Sequence, residues 1–151
     1  MKLTLTAILL AFALTPAVAE EAPTGDAEAG LKVFNKCQTC HVIANEAGDI
    51  LAGKAGKTGP NLFGLPGRTA GTYPEFKYGD GIIAAGAAGV VWNEADFIAY
   101  VADPAKFLKE KTGDTKAKTK MSFKLPKEQD AKDVWAFISS LSPAPAAAPA
   151  P

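Results

Sequence analysis

Lys36-Cys37-Gln38-Thr39-Cys40-His41 contains both cysteines and the only histidine of the 151-residue chain. Two thiols at this spacing can form a redox disulfide, hold a metal, or add to a cofactor. A thioredoxin-type redox pair opens a helix that follows a β-strand, whereas here a helical pattern precedes the pair and no strand pattern does. A structural zinc site requires four ligands. Apart from the initiator methionine, the imidazole and sulfur candidates are Cys37, Cys40, His41 and Met121, and a thioether is a poor zinc ligand. A plain disulfide is permitted but leaves His41 without a role.

Haem attachment uses all three residues. In Cys-x-x-Cys-His the thiols add to the two vinyl groups and the histidine becomes the proximal iron ligand. A low-spin iron then needs a sixth ligand. Met121 is the one methionine beyond the initiator, so elimination points to a His41/Met121 pair. The alternative is a surface Met121 and an open iron. A thioether ligand favours ferrous iron and raises the potential, which suits an electron carrier.

The elements around this motif follow from pattern. Lys2, the apolar run from Leu3 to Leu14 and the small residues Ala17-Val18-Ala19 read as a secretory signal peptide over residues 1–19, cleaved near Ala19. An exported, periplasmic protein without a transmembrane anchor is expected. Residues 20–142 suffice for one domain. Residues 143–151 hold only proline and alanine and are expected to form a disordered tail. Asp26 can cap a helix running to about Lys36. A second helix starts after Trp92, with Asn93 and Asp96 as a capping pair, and stops at Pro104. A third runs from about Lys127 to Leu141, with Val134, Phe137, Ile138 and Leu141 as its apolar stripe. The expected class is all-α, three main helices with long loops around one large apolar group.

Formal charge is zero, yet eight lysines fall between Lys106 and Lys127 against Glu110 and Asp114. Such asymmetry suggests a docking face, with a solvated loop as the alternative. The balance overall argues against nucleic-acid binding. No carboxylate pair or nucleophile–base arrangement points to an enzyme. The rivals are a haem peroxidase or gas-reacting protein with Met121 displaced, and a thiol–disulfide oxidoreductase.

The motifs "GDAEAGLKVFNKCQTCH", "KTGPNLFGLPGR", "FKYGDG", "WNEADFIAYVADP", "KTKMSFKL" and "DVWAFISSL", in that order, resemble the class I c-type cytochromes, specifically the periplasmic bacterial cytochrome c2 family. The resemblance implies the cytochrome c fold with one covalent haem c, and a monomer shuttling single electrons between membrane redox complexes. Those complexes would be a quinol–cytochrome c oxidoreductase and a terminal oxidase or photosynthetic reaction centre. It also implies residue roles. Pro60 would accept a hydrogen bond from the proximal histidine, with a turn proline as the alternative. Arg68, Tyr78 and Trp92 would hydrogen-bond the buried haem propionates; for the two aromatics, core packing is the alternative. Tyr100 would approach the methionine sulfur, Thr119 would contact a propionate, and Phe123 would stand at the exposed haem edge. Gly30, Phe34 and Phe137 would form the crossing of the first and last helices. Lys36, Lys118, Lys120 and Lys124 would ring that edge and meet acidic docking faces. The glycine-alanine run from Gly79 to Gly89 has no assigned conformation.

Overall fold

The computed structural model describes residues 22–144. The signal peptide, its cleavage site and residues 145–151 of the Pro/Ala tail lie outside them. The chain order is α1 (Ala27–Phe34), β1 (Val42–Ala44), β2 (Ile50–Gly53), α2 (Asp80–Ala87), α3 (Glu94–Ala102), α4 (Pro104–Thr112) and α5 (Glu128–Leu141).

The three expected helices are α1, α3 and α5. Asp26 caps α1 by accepting from the N–H groups of Glu28 and Ala29 at 2.8 and 2.9 Å. Asn93 caps α3 through Asp96 N–H at 2.9 Å. Glu128 and Asp130 occupy the first turn of α5, where the helix dipole favours negative charge.

Helices α1 and α5 cross closely. Phe34 packs on Phe137 with ring centroids 5.4 Å apart. A Cβ on Gly30 would collide with the Asp133 backbone and the Phe137 side chain, so any larger residue there must push the helices apart. Beneath the crossing, Trp135, Val134 and Ile138 of α5 are almost fully buried.

Two further helices and a hairpin complete the fold. Pro104 ends α3 but also starts α4: Asp103 accepts from Lys106 N–H at 3.1 Å, with proline in the first turn. Lys106, Lys109 and Lys111 therefore sit on a helix, not in a loop. The run from Gly79 to Gly89 forms α2. Its small side chains let it lie against neighbouring backbone, and Ala85 is fully buried. β1 and β2 pair antiparallel with an irregularity between Ile43 and Ala44. The hairpin matters for what it braces. Asn61 accepts from Ala44 N–H at 3.0 Å and donates to Ala44 O at 2.7 Å, while Leu62 N–H reaches Val42 O at 2.9 Å. The Gly59–Leu62 loop is thereby fastened beside His41.

Candidate functional site

Of the haem-site residues that the sequence singles out, all but Thr119 come together around one cleft, about 1150 Å³ of empty space out to its open mouth. Cys37, Cys40 and His41 line it just after α1, and Met121 and Phe123 line it from the segment before α5. Pro60, Arg68, Tyr78, Trp92 and Tyr100 line it as well, and Leu65, Phe97 and Ile138 help make it apolar.

Helix α1 runs directly into the thiol turn. Cys37 N–H and Gln38 N–H both bond Phe34 O, at 2.8 and 3.1 Å, and His41 N–H bonds Cys37 O at 2.9 Å. The turn is thus built onto the buried end of the helix. Neither cysteine is in a disulfide. Burial pushes the Cys37 thiol up to about 11, against the lowering effect of Lys36. A thiol so far from ionisation is a poor redox nucleophile, whereas a thioether bond to a macrocycle carries no charge to desolvate.

His41 Nδ1 lies 2.8 Å from Pro60 O. A carbonyl can only accept, so Nδ1 bears the proton and Nε2 keeps its lone pair for a metal. Burial also lowers the imidazole pKa, opposed by the Pro60 bond. Gly59 is what lets the loop come so near: a Cβ there would stand 2.6 Å from Nδ1.

Arg68 and Trp92 are held side by side. Trp92 N–H donates to Arg68 O and Gly67 N–H to Trp92 O, each at 2.9 Å. The guanidinium donates to Phe63 O and Asn61 O, both at 3.1 Å, and forms no ion pair with a carboxylate among the described residues. Burial pulls the Arg68 pKa down, with Tyr78 and Tyr73 opposing. Trp92 is 5 % exposed, packs edge-on against Tyr100 at 5.2 Å and stacks on Phe107 at 6.0 Å. It is both a core residue and a cleft wall.

Thr119 is not among the cleft-lining residues. Its hydroxyl accepts from Met121 N–H at 3.0 Å and donates to Met121 O at 3.3 Å, so it fixes the backbone that carries Met121. Burial raises the Tyr100 pKa and the Thr119 side chain opposes the rise. Phe123 is 38 % exposed.

Three of the four expected docking lysines have partners. Lys36 lies 3.5 Å from Asp130, and Lys124 lies 2.7 Å from Asp103. Lys120 donates to Lys77 O at 2.9 Å and lines the cleft. Lys118 makes no such bond among the described residues.

Gly59, Asn61 and Tyr73 received no role from sequence. The first two fall inside a motif quoted above, so a demand for close approach at the proline loop was a usable signal. Nothing local marks Tyr73.

The donor set fits a haem: two thiols at attachment spacing, an imidazole with its lone pair free, one thioether, apolar walls, and a half-buried cation with no carboxylate partner among the described residues. No family model matches the chain. Similar proteins are cytochrome c2 of Fuscovulum blasticum, 70% identical over 131 residues, 87% of this chain and 83% of that one, and cytochrome c2 of Cereibacter sphaeroides, 56% identical over 140 residues, 92% and 94% of the two chains. The X-ray structure of cytochrome c2 from Rhodobacter sphaeroides superposes with a TM-score of 0.77 at 57% identity, covering 81% of this chain and 98% of that one.

Proposed function

The chain belongs to the cytochrome c2 family, electron-transfer proteins with the cytochrome c fold and one covalently bound c-type haem, and on that premise we propose that Cys37 and Cys40 hold the haem while His41 and Met121 ligate its iron. The observation that carries this reading is that all four side chains line one cleft. It is an electron carrier and not an enzyme. The haem supplies the ferric/ferrous couple; the protein supplies everything that tunes and shields it.

Pro60 orients His41 and strengthens it as a donor, as an outer hydrogen bond to a ligating histidine does. Arg68, with Tyr78 and Trp92, meets the haem carboxylates, because a buried carboxylate is stable only when paired. Tyr100 supports Met121 from the cleft wall, and the Thr119 hydroxyl holds the Met121 backbone. The apolar walls exclude water, and Phe123 marks the edge where electrons leave.

The protein works in the periplasm as a monomer after loss of residues 1–19, with 20–142 as the haem domain and 143–151 as a tail. No helix among the described residues is long and apolar enough to cross a membrane. Its partners are membrane redox complexes with acidic docking faces: a quinol–cytochrome c oxidoreductase on one side, a terminal oxidase or photosynthetic reaction centre on the other. Lys36, Lys118, Lys120 and Lys124 steer that encounter. Pairing with Asp130 and Asp103 weakens the field of Lys36 and Lys124, so Lys118 and Lys120 carry most of it.

Exposed charges are screened beyond about 8 Å at physiological ionic strength. Association with such a partner should therefore slow as salt is added, and Lys118→Ala should slow it more than Lys124→Ala with the potential unchanged. Stopped-flow oxidation of the reduced protein across a salt series reads both effects. Rates indifferent to salt and to Lys118 would place the docking face elsewhere.

A further inference from the structure

We propose that Tyr73 is a positioning residue for Arg68: its ring carries the guanidinium and so fixes the positive charge presented to the haem carboxylates. The inference rests on the reading of Arg68 given above.

Arg68 Cζ lies 5.0 Å from the centroid of the Tyr73 ring. An aromatic face within about 6 Å attracts a guanidinium, most strongly where water is scarce. Arg68 is partly withdrawn from solvent and lines the largely apolar cleft. Tyr73 does not itself line the cleft, so it acts from behind the arginine. The contact is also not a loose surface stacking. The Tyr73 hydroxyl accepts from Asn61 Nδ2 at 3.3 Å, that same Nδ2 donates to Ala44 O at 2.7 Å, and the Asn61 carbonyl accepts from Arg68 Nη2 at 3.1 Å.

Ring, asparagine and guanidinium therefore form a closed circuit anchored on β1. An arginine side chain is long and rotamer-rich. Two carbonyl bonds direct two of its five N–H groups, and the ring face restrains the plane in which the others lie. With the ring removed, the guanidinium can swing toward water, and its charge counts for less at the haem. A positive charge near the haem favours the ferrous state, so its retreat lowers the potential.

The test is the potential of four variants of the holoprotein, measured with melting curves and the sulfur-to-iron absorption band as checks on folding. Tyr73→Leu should lower the reduced-to-oxidised ratio at a fixed applied potential severalfold, because the positive charge facing the haem carboxylates retreats toward water. Tyr73→Phe keeps the ring face but loses the Asn61 bond, and should fall between the parent and Tyr73→Leu. Arg68→Gln should lower the ratio further, and adding Tyr73→Leu to Arg68→Gln should change nothing more.

A Tyr73→Leu potential equal to the parent's, with Arg68→Gln still lowering it, would overturn the role of Tyr73 and leave that of Arg68 standing. An equal fall in both backgrounds would show that Tyr73 acts without Arg68, and would overturn it too. An Arg68→Gln variant at the parent potential would remove the reading of Arg68 itself, and this inference with it.

Discussion

Met121→Ala should keep the haem attached yet lose the sulfur-to-iron absorption band, and its potential should fall by on the order of 0.2 V, a fraction of the roughly 0.8 V that axial ligands span. The two consequences separate because two parts of the chain are responsible. Attachment depends on Cys37 and Cys40, built onto the end of α1 through Phe34 O. On the proposed ligation the potential depends on Met121, carried on a distant segment whose backbone Thr119 holds at 3.0 Å. Alanine offers no donor, and no second histidine exists in the chain to replace the thioether. Spectroelectrochemistry reads both quantities in one sample. An unchanged potential with the band intact would remove Met121 from the iron.

Phe34→Ala should cost about 3–5 kcal/mol, the usual range for emptying a buried aromatic site. Phe34 is 2 % exposed and rests on Phe137. The helices cannot close over the void, because Gly30 already brings their backbones into contact with nothing to spare. At this size the loss corresponds to a fall in Tm of roughly 10–20 °C. Phe34 O also accepts from Cys37 and Gln38, so loosening this end of α1 reaches the attachment turn. Thermal unfolding of the holoprotein checks the magnitude. A drop of only a few degrees would mean that the helix crossing adds little to the domain.

How much of this was legible in sequence depends on how local each feature is. Asp26, Asn93 and the stripe on α5 act within a few residues, and their helices lie within a turn of where the pattern puts them. Pro104 reads correctly as the end of α3, but the same Asp103–Pro104 pair also opens α4, and proline admits both roles. Helix α2 was hidden because glycine and alanine offer no contrast between faces. The hairpin was hidden because β2 exposes both Ile50 and Leu51, so no alternation survives, and its register is irregular.

The site shows the same division. Cys37, Cys40 and His41 are a contiguous motif, Met121 is singled out by elimination, and the structure brings all four to one cleft. The position of Thr119 behind Met121, the pairing of Lys124 with Asp103 and the anchoring of Lys120 on Lys77 O are contacts across space that no spacing announces. Tyr73 belongs with them: its value lies in facing Arg68, five residues away along a loop with no regular period.

Carbon monoxide titration of the reduced protein bears most directly on whether this is a six-coordinate carrier. With Met121 on the iron, the spectrum should remain unchanged at gas concentrations that saturate an open haem, and Met121→Ala should bind the gas readily. Rapid one-to-one binding by the unaltered protein would mean that the sixth position is open, and would replace an electron carrier with a gas-reacting haem protein.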